Sequence, residues 1–330
     1  MEDREAGEHV KTPVRLLSDN VLERFQNARA HTLARHLRNL TAGKLIPAIG
    51  WDDRRMLLKG PHADPETRQI VVQEVFLAYL WAVTYALLVI DQEAYRKPII
   101  EGRFEGELDF TEPVLAEAWE LFLWAMSLKR DFSEWPAYLP APDRRRQIAG
   151  IDYTGLANGI FMDAAAYLLF HEYAHLVNDH WSVIGPIRAR PEDEITEADC
   201  EILKQIENEA DVDAREALLA SDDPARLQLS RGCGIVIAHS ASLLLVPSPS
   251  KLRQIQHPDV DSRLVNAIYS LTPDVVGPRD MLWTVASLAC SLFLRAHGLR
   301  ITQEPAETAE ELLRRCMANL DLIKSSRALP

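Results

Sequence analysis

The chain has 330 residues, 47% apolar and 26% charged, which suffices for a sizeable core and excludes a disordered or fibrous chain. Lys and Arg number 36 against 49 Asp and Glu; a net charge of −13 argues against a nucleic-acid partner and against adhesion to anionic membranes, since both need clustered positive charge. Cys200, Cys233, Cys290 and Cys316 stand far apart with no C-x-x-C, so neither a disulfide framework nor a zinc ribbon is expected and a reducing cytoplasm suits the chain.

The opening MEDREAGEHVK is charged and lacks the apolar stretch of a secretory signal. Apolar residues recurring every three or four positions predict a helix over 20–45, and a second, strongly apolar one over 67–95. The longest uncharged apolar run, Val75 to Ile90, has sixteen residues, short of the roughly 20 that cross a bilayer, so a core helix is expected and no membrane span. A helix is expected over 112–130. Pro136, Pro140 and Pro142 then break the pattern over 131–146, the best place for a boundary. This suggests a helical N-terminal region, 1–145, and a catalytic region, 146–330, or one continuous domain.

Helices follow over 163–181 and 196–221, the latter opened by Thr196 with Asp199 three positions on. Gly185, Pro186 and Pro191 predict a loop over 184–194. Further helices are expected over 234–245, 280–299 and 305–322, with short strands at 97–104 or 234–238 the only sheet candidates. The fold class is mainly α, with at most a small sheet.

The chemistry lies in His171-Glu172-Tyr173-Ala174-His175, an H-E-x-x-H within the 163–181 helix. Positions i and i+4 share a helix face, so His171 and His175 can offer two imidazoles to one metal ion. Glu172 sits about 100° further round, beside such an ion, where it can take a proton from water. The preceding apolar run buries this helix, and burying His, Glu and His without partners is costly. Tyr173 points away from the histidine face and is expected to pack.

A tetrahedral catalytic zinc needs a third protein ligand. The metzincin pattern is excluded, because Asn178 and Trp181 stand where its Gly and third His belong. His180 reads better as an outer or surface histidine. The other source is Glu207-Asn208-Glu209-Ala210-Asp211-Val212-Asp213-Ala214. It holds E-x-x-x-D twice, with the two glutamates about 200° apart on a helix, so only one pair can face the metal. Ala210 and Ala214, three and seven positions after Glu207, provide the small face for close packing. Glu207 is therefore the expected ligand, Asp211 the carboxylate orienting a ligand histidine, and Glu209 and Asp213 surface residues. His239 is a candidate donor to a developing oxyanion, with a satisfied core histidine as the alternative.

HEYAH followed by ENEADVDA resembles the gluzincin metallopeptidases, and E-x-x-A-D-x-x-A recurs in HtpX-like and ImmA/IrrE-like peptidases. For a largely helical chain of this length the closest resemblance is to the phage-exclusion peptidase family typified by Lit. That resemblance covers roughly 163–217. It implies a helical zincin-like domain and a Zn2+-dependent endopeptidase acting on intracellular protein or peptide substrates in phage defence. Such a protease needs restraint, from a buried cleft, an activating peptide or protein, or strict specificity. The alternative is a catalytically inactive gluzincin-like binding or regulatory module. A di-iron bundle is set aside, because no second E-x-x-H exists.

Overall fold

The computed structural model describes residues 10–27, 30–55, 57–104, 106–219, 224–253, 259–271, 276–299 and 306–326. Within them, helix α1 (Ser18–Asn27) and α2 (Ala30–Thr41) are followed by short strands β1 (Gly50–Asp52), β2 (His62–Asp64) and β3 (Gln69–Gln73). Then come α3 (Glu74–Ile90), a π-helical stretch (Asp91–Arg96), α4 (Lys97–Ile100), α5 (Pro113–Ser127), and a small hairpin of β4 (Gln147–Ile148) and β5 (Ile151–Asp152). The rest is helical: α6 (Tyr153–Val177), α7 (Trp181–Arg188), α8 (Glu197–Leu218), α9 (Ala225–Leu245), α10 (Val260–Ser270), α11 (Val276–Ala296) and α12 (Ala309–Ser326). The mainly α class expected from the sequence holds, with two small sheets.

Helix α3 has no solvent face, and all seventeen of its residues are buried. A helix that is apolar all round belongs in the middle of a large core. With its continuation it runs Glu74–Ile100, long and apolar enough to cross a membrane by length and composition, but its most apolar window is 100% buried inside the protein. Around it lie α5, α6, α9 and α11. Helix α6 is likewise buried on most sides, packed against α3, α8 and α9. Residues from both sides of position 145 share one apolar core, from Val10 to Leu320.

Helices α6 and α9 approach closely at Gly234. A Cβ placed on Gly234 of α9 would stand 2.6 Å from Asp163 Cβ and 2.9 Å from the Ala164 backbone nitrogen. Only glycine fits there.

Several expectations are corrected. Residues 69–73 form β3 rather than the start of the long helix. The pattern Ile70, Val72 buried against half-exposed Gln69, Val71 is strand alternation. β3 lies in the middle of a three-stranded sheet, parallel to β1 and antiparallel to the edge strand β2. Residues 97–100 are helical and turn at Gly102, and 234–238 lie inside α9, so neither is a strand. The loop expected from 184 is instead α7 up to Arg188, with Pro186 inside it. Helix α10 was not foreseen. The expected helix boundaries at Ser221 and Pro305 lie outside the described residues.

Candidate active site

Helix α6 opens on a capped turn, where the Asp152 carboxylate accepts the Gly155 N–H at 3.0 Å. It closes after His175. Asn178 ends the regular bonding, Asp179 takes a left-handed φ of 55°, and the His180 N–H bonds back to the His175 carbonyl at 3.1 Å. This reversal is a common helix stop, and Asp tolerates it better than most residues. Its effect is to fold His180 back beneath His175. Helix α8 starts with a full capping box, the Thr196 hydroxyl accepting the Asp199 N–H and the Asp199 carboxylate accepting the Thr196 N–H.

α6 and α8 cross with Ala210 and Ala214 wholly buried at the contact. This brings Glu207 to the histidines of α6. His171 Nε2 and His175 Nε2 are 3.2 Å apart; Glu207 Oε2 is 3.4 Å from the first, and Oε1 is 3.9 Å from the second. One ligand atom from each of the three buried residues lies within 4.8 Å of the other two, and the group could hold a metal ion. Glu209 faces away with 56% of its side chain exposed, 3.7 Å from His180 Nε2. Asp213 is half-buried, accepting from Asn178 Nδ2 at 2.9 Å and pairing with Arg35. It is less of a surface residue than the sequence suggested.

Each histidine is held from behind. His171 Nδ1 is 3.0 Å from Asp211 Oδ1, which leaves Nε2 pointing at Glu207. His175 Nδ1 is 3.0 Å from His180 Nδ1. Such contacts fix tautomer and ring orientation. Asp211 is in turn gripped by Arg263 of α10 at both oxygens, 2.7 Å from Nε to Oδ2 and 2.6 Å from the guanidinium to Oδ1. The Tyr167 hydroxyl donates to Asp211 Oδ1 at 3.1 Å. His239 lies on this rear side, 2.9 Å from the Tyr167 oxygen, and is not among the three converging residues. Tyr173 packs against Phe25 and His36 and bonds to Asn39.

The electrostatics follow from this packing. Burial works against a charged His171, but the Asp211 and Glu207 carboxylates outweigh it and push its pKa up to about 10. Burial, then the His171 charge, push His175 down to about 3. Of the two imidazoles, His171 is thus the one that carries a proton's charge, beside the Asp211 and Glu207 carboxylates, and His175 is neutral. Burial raises Glu172 to about 7, within reach of both protonation states near neutrality. Its Oε2 accepts the Ala63 N–H of edge strand β2 at 2.7 Å. Burial lowers His239 to about 4, so that imidazole is neutral.

Arg263, Tyr167 and the Ala63 N–H were missed by the sequence reading. Arg263 has no motif around it. Its helix does leave a trace, in Val260, Leu264, Ala267 and Ile268 at helical spacing. The Ala63 contact has no sequence signal, since any residue there supplies the same N–H.

An imidazole pair, a convergent carboxylate and a neighbouring glutamate of raised pKa are equipment for hydrolysis, and the class they fit is the peptidases. The sequence profile of the Peptidase U49 family matches residues 70–286, about two thirds of the chain. The chain belongs to that family and is a peptidase. Neither the curated proteins nor the solved structures yield a match to it.

Proposed function

We propose that the chain is a zinc-dependent endopeptidase of intracellular proteins, with His171, His175 and Glu207 as the zinc ligands and Glu172 as the general base. One observation carries the reading. Zinc binds His nitrogen at about 2.0–2.1 Å and carboxylate oxygen at about 2.0–2.2 Å, so tetrahedral geometry separates its ligand atoms by about 3.4 Å. The two imidazole nitrogens are 3.2 Å apart and Glu207 Oε2 is 3.4 Å from His171 Nε2, close to such edges; the other Glu207 oxygen is 3.9 Å from His175 Nε2, and all three side chains are buried with one ligand atom from each within 4.8 Å of the others. Two nitrogens and one carboxylate are also the donor set of catalytic rather than structural zinc.

A zinc ion in this position supplies Lewis acidity and lowers the pKa of water. The remaining work belongs to the chain. Glu172 accepts the proton of the attacking water on its carboxylate and passes it to the leaving amine nitrogen. The Ala63 N–H fixes one Glu172 oxygen, which leaves the other for that transfer. Asp211 keeps the His171 Nε2 lone pair aimed at the ligand position, and Arg263 keeps Asp211 in place. The open edge of β2 beside Glu172 offers N–H and C=O groups along which an extended substrate can lie.

The test has two arms. Purified protein should contain one zinc per chain. Glu172→Gln should keep that zinc yet lose turnover by roughly 10²-fold or more, read as new protein N-termini in cells expressing each form. Metal-free wild type would refute the zinc site, and an equally active Gln variant would refute the base. Loss of both differences, with zinc retained, would favour the inactive module. The role in phage exclusion rests on the resemblance of the two motifs to the Lit family. It predicts that these N-termini appear on infection.

A further inference from the structure

A second cavity, of about 230 Å³, lies between α8 and α10, on the far side of the Asp211–Arg263 pair from the histidines. None of His171, His175, Glu172 or Glu207 lines it. It is open to solvent on one side, where Asn208, Val212 and Asn266 are exposed. One wall is apolar, made by Val212, Ile235 and Ala267. The others carry Arg215, Asn208 and Asn266.

The polar groups divide into two sets. Arg263 and Asp211 neutralise each other through two short bonds, and Tyr167 and His239 bond to each other. Among the described residues, no side chain or backbone group hydrogen-bonds or ion-pairs with the side chain of Arg215, Asn208 or Asn266. The cavity therefore presents one half-buried guanidinium without a protein partner and, at its solvent-exposed rim, two amides beside a partly apolar wall. A guanidinium presents a flat fork of donors, whose natural partner is a carboxylate, and amides add further donors. Water can satisfy such groups, but water gains nothing from the apolar wall.

We propose that this cavity is a binding site for a small carboxylate-bearing ligand. Its carboxylate meets Arg215, with Asn208 and Asn266 donating beside it, and its short apolar stem lies on Val212, Ile235 and Ala267. The volume is ample for a molecule of glutarate's size. The carboxylate has two possible sources, a free small acid or an acidic side chain of a bound polypeptide. Because no metal-site residue lines the cavity, the free acid is the favoured source. An occupant would lean on the pair that braces His171, and any effect of it on cleavage rests on the peptidase reading above. Its binding does not.

Binding is therefore measured first and without turnover. Glutarate should raise the unfolding temperature of the full chain and bind by calorimetry, and its neutral diamide should do neither. Arg215→Gln should weaken glutarate at least about tenfold, as expected for a lost charged hydrogen bond. Asn266→Asp, which keeps the size and reverses the field, should do the same. Equal response to glutarate and the diamide overturns the proposal, as does undiminished binding by both variants when each melts like wild type. The source is then read from cleavage. If glutarate alters the cleavage of Glu- and Gln-containing peptides alike, the ligand is a free acid. If a Glu-to-Gln exchange in the substrate raises KM in wild type but not in Arg215→Gln, it is a substrate side chain. Absence of any cleavage with binding intact would count against the peptidase reading and not the site, and cleavage unmoved in both arms would overturn any effect of the occupant on it.

Discussion

Replacing a glycine by alanine in the middle of a helix ordinarily stabilises a protein by up to about 1 kcal/mol, because alanine has the lower conformational entropy to lose. Gly234→Ala should do the opposite. The new Cβ would meet Asp163 Cβ at 2.6 Å, the Ala164 nitrogen at 2.9 Å and the Asp163 carbonyl carbon at 3.0 Å. Two of these atoms are backbone, so no rotamer change relieves the clash, and α6 and α9 must separate. Overpacking of this kind costs about 1–3 kcal/mol, and with backbone on both sides the upper end applies. After the helix-propensity gain is subtracted, a net loss of about 2 kcal/mol is expected. Gly159 of α6 is the control, because a Cβ there meets nothing within 4 Å. Gly159→Ala should gain up to about 1 kcal/mol. Both are read from urea unfolding of the metal-loaded protein, with zinc content measured alongside, since α6 carries His171 and His175 beyond the contact. If the two substitutions shift stability in the same direction, the close approach of α6 and α9 is wrong.

Other outcomes follow from the site and the core. Glu207→Ala should lose bound metal, whereas Glu209→Ala, altering an exposed side chain on the other face of α8, should bind it as wild type does; competition with a chelator measures both. Arg263→Lys keeps the charge but not the two-point grip on Asp211, and metal affinity should fall about 10–100-fold, with an unchanged affinity counting against the bracing role. Asp91 is buried in the core, where desolvation raises its pKa from 3.8 to about 7 against the opposing pull of Thr284 and Arg96. Between those two values only the folded chain holds the proton, so this group's contribution to stability falls as pH rises through about 4 to 7. The stability of Asp91→Asn relative to wild type should therefore grow by roughly 4 kcal/mol from pH 4 to pH 8 in denaturant titrations, and a flat difference would refute the burial argument.

Parts of this architecture were readable because they rest on local rules. The i, i+4 spacing of His171 and His175 needs only the helical pitch. The alanines at 210 and 214 distinguish Glu207 from Glu209 because close helix packing excludes larger side chains. Other parts depend on distant partners. Residues 69–73 read as the start of a helix since they adjoin a strongly apolar one, and only pairing with β1 and β2 makes them a strand. α7 carries a proline that argues for a loop, but the left-handed turn at Asp179 launches it as a helix. Arg263 reaches the site only through the packing of α10 on α9, some fifty residues after Asp211 in the chain.

The burial of α3 bears on how the chain is made. Its seventeen buried residues are complete in the nascent chain at Ile90, but two of the helices that cover them, α9 and α11, end only at Leu245 and Ala296. At about 5–20 residues per second, synthesis of the intervening stretch takes roughly 10–40 seconds. For that interval the ribosome presents a segment with the composition of a membrane anchor and no place to bury it. Chaperone capture or temporary shielding by α1, α2 and α5 must bridge the gap. Truncated chains ending before α9 should therefore aggregate or go astray to membranes.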